Sequence, residues 1–296
     1  MMFGGLRLNR RRLRQGVLLI AALVILVWTV APAYWLLISA ISPGSELAAD
    51  PPHWIPQRPT LQRIQTILTS RVVGYAAQRI ASPAALFKQA MLNSLVVAGT
   101  TTSLCLVLGS LAAYAFARMR FPGRGPLLLV PLALQMLPPI ALIIPLYQIV
   151  RALGLIDHLV GLILIYPSFL LVYVIWVMSG YFRNLPPDIE DAARVDGCTR
   201  LGALWRVVLP LSAPALVATG LLTFLLAWDE FLYALILTSS PEAKTIPVAV
   251  GEFSTQFGLD YGMMTAGGFL ASLPPVIIAL LFQPLLVRSL TAGAVK

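Results

Sequence analysis

Six long stretches of the chain carry no Asp, Glu, Lys or Arg: residues 15–45, 89–117, 125–150, 158–182, 207–228 and 261–287. A helix rises 1.5 Å per residue, so about 20 apolar residues cross the ~30 Å hydrocarbon core of a bilayer. Each stretch holds 22 residues or more and predicts a spanning helix. The fifth continues past Asp229-Glu230 into an apolar Phe231–Leu237 segment, which predicts one helix over about 211–237 with an acidic pair inside it. The fold expected is therefore all-α, an integral membrane protein with about six transmembrane helices.

Composition agrees. The 296 residues are 58% hydrophobic and 11% charged, whereas an average soluble domain is about a quarter charged. A net charge of +9 suggests nucleic acid at first sight, but the basic residues sit in short clusters between the apolar runs. That distribution follows membrane topology, so lipid and not nucleic acid is the expected surroundings. With the N-terminus inside, Arg7, Arg10, Arg11, Arg12, Arg14, Arg118, Arg120, Arg124, Arg183, Arg194, Arg200, Arg206, Arg288 and Lys296 are cytoplasmic, fourteen in all, against seven outside. Both termini are thus predicted to be cytoplasmic, in the cell (inner) membrane.

The chain divides into a cytoplasmic N-terminus (1–14), a first span (15–42), an extracytoplasmic loop (43–88), a core of five spans (89–290) and a cytoplasmic tail (291–296). The first run follows basic residues, as a signal peptide would. It far exceeds the about 7–15 residues of a signal h-region, which favours a retained anchor. The outer loop is rich in proline and carries an amphipathic segment at 60–70, with Leu61, Ile64, Ile67 and Leu68 at helical spacing.

Between the fourth and fifth spans, residues 183–210 predict a small helix-turn-helix. Pro187 suits a first helical position, Asp188, Glu190 and Asp191 suit the positive end of the helix dipole, and Gly197 suits a left-handed C-terminal cap. The first helix is expected over about 187–195. Thr199 caps a second, with Leu201, Leu204, Trp205 and Val208 on one face before Pro210.

The run Glu190-Asp191-Ala192-Ala193-Arg194-Val195-Asp196-Gly197, followed by Leu209-Pro210, resembles the EAA loop of ABC importer permeases, with Asp191 where glutamate is usual. The segments L-N-S-L (92–95), A-Y-A-F-A-R (113–118), I-P-L-Y (144–147), L-G-L-I-D (153–157), W-D-E-F (228–231) and L-T-A-G-A-V-K (290–296) are similar to the second permease of carbohydrate importers, the maltose-permease G type. The resemblance implies a permease of a sugar or oligosaccharide importer. It also implies a heterodimer with a second permease, two copies of a cytoplasmic ATPase and an extracytoplasmic solute-binding protein. Glu190, Asp191, Ala192, Ala193, Asp196 and Gly197 would then dock the ATPase. The chain has no GxxxxGK[ST] loop, so ATP and Mg are expected on the partner and no cofactor or catalytic residue here.

Candidates for the solute path are Asp229, Glu230, Gln135 and Tyr233. A charge at membrane depth costs at least about 2.5–3.5 kcal/mol on insertion scales, so the acidic pair should line a wet cavity, bond a neighbouring helix or lie near the interface. Gln135, Pro138, Pro139 and Pro145 make 131–145 either a gate or a kink that only shapes packing; Pro274-Pro275 and Pro284 carry the same two readings. Trp228, Tyr166, Tyr173 and Tyr233 are either sugar-facing or interfacial anchors. Met136, Met263 and Met264 read as packing residues. Cys105, Cys198, His53 and His158 are isolated, so neither a disulfide nor a metal site is expected. The rival classes are an ion-coupled secondary transporter with Asp229 and Glu230 as relay, a permease of a non-sugar ABC importer, and more remotely a membrane enzyme.

Overall fold

The computed structural model describes residues 5–47, 49–51, 53–69, 83–255 and 258–292. In chain order they form α1 (Gly5–Ile41), α2 (Gly44–Leu47), α3 (Gln62–Thr69), α4 (Pro83–Arg118), α5 (Arg124–Leu134), α6 (Pro139–Ala152), α7 (Leu159–Ile165), α8 (Pro167–Asn184), α9 (Pro187–Val195) and α10 (Arg200–Ala203). A π-helical turn (Leu204–Val208), α11 (Leu209–Leu211), α12 (Ala213–Trp228), α13 (Leu232–Leu237), α14 (Ile246–Gly251) and α15 (Tyr261–Ala292) follow. The strands are two-residue pieces, β1 (Ser254–Thr255) and β2 (Gly258–Leu259), paired antiparallel before α15. Parts of the predicted termini and outer loop (1–4, 48, 52, 70–82 and 293–296) lie outside the described residues.

Four helical stretches among the described residues are long and apolar enough to cross a membrane unbroken: 12–41, 86–118, 159–184 and 261–285. The two remaining predicted spans are bent pairs. α5 and α6 meet at 101°, and the 200–211 segment meets α12 at 81°. Counting each pair as one gives up to six, and the second pair takes in the 200–211 end of the predicted 183–210 loop, so the fifth span proper begins after the 81° bend. α15 runs through Pro274, Pro275 and Pro284 without a break.

One expectation is corrected. Residues 211–237 are not a single helix: α12 ends at Trp228 and α13 starts at Leu232. The acidic pair sits in the break instead of inside a helix. Glu230 accepts from the amides of Tyr233 (2.8 Å) and Ala234 (3.1 Å), so it caps α13 in place of the missing helical partners. The 125–150 run, expected as one span with a gate or a kink at 131–145, is also interrupted, because Pro138 and Pro139 start a new helix at α6.

The residues fall into two units, 1–70 with 253–270, and 71–252 with 271–296. In the first, apolar side chains of α1 such as Leu19, Ile25 and Trp28 are exposed, as suits a lipid-facing span. The segment after α1 is tied by polar bonds. Tyr34 donates to the Trp54 carbonyl (2.7 Å), the Glu46 carboxylate accepts from the Gln57 and Arg58 amides (3.0 and 3.2 Å), and Arg63 donates to the Ser42 carbonyl. α3 forms where the amphipathic pattern predicts, with Ile67 buried but Leu61 and Leu68 exposed.

The second unit is organised on α4, which packs against α8, α12 and α14. Gly109 allows the approach to α8: a Cβ there would lie 2.6 Å from a Val174 methyl. The L-N-S-L residues secure α14. Asn93 donates to the carbonyls of Glu242 (2.9 Å) and Lys244 (2.8 Å), and Ser94 accepts from the Ile246 amide (2.8 Å). The L-G-L-I-D residues secure the end of α13. Gly154 takes positive φ, and the Asp157 carboxylate accepts from the amides of Ser239 (2.7 Å) and Ser240 (2.8 Å). Partial burial pushes the Asp157 carboxyl up, but those two amide bonds, the Ser240 side chain and nearby His158 together outweigh it and hold the group below the usual carboxylate range.

Gly109→Ala is expected to destabilise the bundle by about 1–3 kcal/mol through overpacking, and Gly109→Ala with Val174→Ala should recover much of it, as thermal unfolding in detergent would show. Because the Asp157 pKa is lowered on folding, its stabilisation is fully present above the unfolded pKa and is lost as pH falls through the folded one. Asp157→Asn should therefore flatten the decline in melting temperature below about pH 4 and leave its shape near neutrality unchanged.

Candidate functional site

Two constellations in the second unit carry the sequence-predicted residues. The first is the segment between α8 and α12. Pro186 and Pro187 start α9 with Asp188 and Glu190 in its first turn. At its end the Cys198 amide donates to the Ala193 carbonyl (3.0 Å) and the Gly197 amide to Arg194 (3.1 Å), the paired bonds of a Schellman cap. The cap needs the positive φ of Gly197, +88°. Thr199 then caps α10, its hydroxyl accepting from the Gly202 amide at 3.1 Å. The helix-turn-helix stands as the sequence predicts.

Its faces differ from a simple amphipathic reading. Leu204 and Val208 are buried, but Leu201 and Trp205 are exposed, because the π-helical turn at 204–208 shifts the phase of the stripe. On α9, Glu190 and Ala193 face inward. Asp191, Ala192, Asp196 and Gly197 face outward beside Ile189 and Val195, the last 87% exposed. Asp191 pairs only loosely with Arg194, at 3.5 Å on the surface.

Glu190 is held from α4. Its carboxylate pairs with Arg118 Nε at 3.1 Å and accepts from the Tyr114 hydroxyl. Arg118 also donates to the Leu185 carbonyl (2.9 Å), and the Tyr114 oxygen lies 3.3 Å from the Arg200 carbonyl. In the sequence Tyr114 and Arg118 stand out only as part of A-Y-A-F-A-R. Their four-residue spacing at the end of a span, which puts both on one helical face, was the available signal.

The second constellation joins three helix interruptions. Glu230, at the α12/α13 break, accepts from the Tyr166 hydroxyl (2.7 Å) at the α7/α8 junction. Tyr166 contacts the Phe169 ring (5.8 Å between centroids), and Phe169 stacks on Tyr233 (5.6 Å, 23°). The Tyr233 hydroxyl reaches the Pro139 carbonyl (3.3 Å), and Gln135 Nε2 donates to the Phe169 carbonyl (2.5 Å), both at the α5/α6 break. Three of the four predicted path residues, Gln135, Glu230 and Tyr233, thus come together. Asp229 does not join them: it ends α12 with an exposed side chain. Phe169, the ring at the centre, was missed, since a phenylalanine in an apolar run carries no signal of its own.

Of the four candidate aromatics three are buried, and Tyr173 is half-buried. Tyr166, Tyr233 and Trp228 are buried within the chain, Trp228 stacking on Phe224 at 5.7 Å, so they are not lipid-interface anchors. Among the described residues no three His, Cys, Asp or Glu gather as metal ligands.

Spanning helices, two of them broken and cross-braced, with a capped helix-turn-helix between the fourth and fifth spans, define a membrane transport permease. The chain belongs to the family of binding-protein-dependent transport system inner membrane components, whose model matches residues 105–292. It is 35% identical to the sulfoquinovosyl glycerol transport system permease protein of Agrobacterium fabrum, over 94% of this chain and 92% of that one. It is 43% identical to the trehalose transport system permease protein of Mycobacterium tuberculosis, over 71% and 78% respectively. The trehalose/maltose transport system permease protein of Thermococcus litoralis is 32% identical over 96% and 98%. The fold matches a chain of a bacterial ABC transporter involved in the import of the acidic polysaccharide alginate, with a TM-score of 0.71 at 19% identity, covering 94% of this chain and 96% of that one.

Glu230→Ala leaves two amides and the Tyr166 hydroxyl without their acceptor, and each buried group so stranded costs about 1–3 kcal/mol. The variant is expected to melt well below wild type in detergent, Glu230→Gln to fall between them, and Asp229→Asn to match wild type.

Proposed function

We infer that this chain is one of two permease subunits of an ATP-driven importer for a sugar or oligosaccharide. The observation that carries the reading is the Schellman-capped α9 with its outward Asp191, Ala192, Asp196 and Gly197, in a chain whose relatives are named for sugar transport. Small and acidic groups on a short rigid helix suit insertion into a groove of an ATPase, which would bind the ATP and Mg. Ala192 permits close approach there, and Glu190 and Ala193 support the helix from behind. The other partners of the proposal are a second permease, a second ATPase copy and an extracytoplasmic solute-binding protein. Both termini and the 183–210 loop are assigned to the cytoplasm, in line with the excess of Arg on that side.

Transport then follows from mechanics. ATP binding draws two ATPases together, the docked loops follow, and the broken spans change their angles to open the path on the other side. The breaks at 135–138 and 229–231 are assigned as the pivots. Asp229, exposed in its break, is assigned to the solute path, where a carboxylate accepts hydrogen bonds from sugar hydroxyls. Glu230 is already engaged by three donors within the chain, which favours this reading over an ion relay through the acidic pair.

Gentle purification of this chain from its native membranes, followed by mass spectrometry, is expected to recover an ATPase and a second permease in near-stoichiometric amounts. A Cβ at Gly197 meets nothing within 4 Å, so Gly197→Val acts through its backbone, at about 1–2 kcal/mol for the left-handed conformation. That variant and Asp191→Lys should both lose the ATPase. A chain that purifies alone and moves trehalose in liposomes under an ion gradient without ATP would overturn the proposal.

A further inference from the structure

We propose that Tyr114, Arg118 and Glu190 form a rigid joint that makes the α9–α11 loop and helix α4 move as one body. The inference rests on the reading of that loop as the ATPase contact and adds the route by which its motion enters the bundle.

The covalent routes into and out of the loop are both bent. α8 gives way to extended backbone at Leu185 (ψ 135°) and Pro186 (ψ 129°) before α9, and the exit to α12 turns 81° at Ser212. A helix joined to its neighbours through such bends can swing without carrying them along. The side-chain route has no bend. Tyr114 and Arg118, one turn apart on α4, hold the loop at three places: the Leu185 carbonyl before α9, the Glu190 carboxylate within it, and the Arg200 carbonyl at the start of α10.

Three points fix a rigid body where one would leave it free to rotate. The ion pair is also shielded, with side-chain exposures of 16% for Arg118 and 11% for Glu190. It therefore differs from surface pairs that water and salt make negligible, and removing either partner strands a charge. The far side of the joint is α4, the helix against which α8, α12 and α14 pack, so a push on the loop reaches all three at once. Tyr114 and Arg118 are positioning residues, and Glu190 belongs with them behind the docking face.

The test is a spin-label distance measurement on the intact complex, with labels at Leu201→Cys on the loop and Val96→Cys on α4, and Cys105 and Cys198 replaced by Ala and Ser. The expected result is one narrow distance, the same without nucleotide and with ATP and vanadate. Arg118→Gln and Glu190→Gln should each broaden it at least about twofold, because either strands a shielded charge. The exchange of Arg118→Glu with Glu190→Arg should narrow it again, which a general loss of structure would not allow. If the single variants fail to fold, Tyr114→Phe carries the test with the ion pair intact, and broadening is expected there too. A distance that changes with nucleotide in wild type, variants as narrow as wild type, or an exchange as broad as the singles would each overturn the joint. Failure of the ATPase reading shows separately, as absence of an ATPase from the wild-type complex, while the nucleotide-free distances still test the joint.

Discussion

The constraint on which this structure depends is that hydrocarbon offers no hydrogen bonds to a backbone. A chain of such apolar composition satisfies its amides and carbonyls with long helices, and every place where a helix stops within a span must supply substitutes. The break after Trp228 does so through Glu230, whose two carboxylate oxygens take the Tyr233 and Ala234 amides in the first turn of α13. At the α5/α6 break, Pro139 has no amide to satisfy, and its carbonyl receives the Tyr233 hydroxyl. Interruptions that would otherwise weaken a membrane protein are thereby turned into defined corners.

Those corners brace each other. Tyr166, Phe169 and Tyr233 form a continuous aromatic contact from one break to the next, with Glu230 bonded to Tyr166 at one end and Gln135 to the Phe169 carbonyl in the middle. Because the groups are shared, one break cannot change angle without disturbing the others. A permease that exposes its path to one side at a time requires such concerted behaviour. At the loop between α8 and α12 the same economy recurs, with Tyr114 and Arg118 on one helical face meeting three parts of the neighbouring segment.

Much of this was legible in the sequence, for reasons that differ by element. Six uncharged runs reveal six spans because length and charge are properties of the chain itself. The α9 helix and its glycine cap were legible because Pro187, Gly197 and Thr199 act on their own neighbours. Continuity of the fifth span was misread, since a run of hydropathy does not tell a helix with two acids in it from two helices capped by one of them. Only Tyr233, Ala234 and Tyr166 make Glu230 a cap, and two of those bonds depend on backbone direction. The inward turn of Glu190 was hidden for a like reason: its partners lie more than seventy positions earlier in the chain. The second helix of the loop looked uniformly amphipathic because a period of 3.6 was assumed throughout, and the wider turn at 204–208 breaks it.

That wider turn has a consequence for how the chain can change over evolutionary time. A π turn holds one residue more than the α-helical turn it replaces, so losing a single codon between Leu204 and Val208 would restore regular winding without breaking the helix. Five residues of π winding turn the chain about as far as four of α winding, so the loss would leave α10 facing Tyr114 and the flanking helices in phase. A gap of one residue is therefore absorbed in this stretch, where within a regular helix it would rotate one part against the other by about 100°. The residue count between Gly197 and Pro210 is thus free to fall by one while the loop keeps its place against α4.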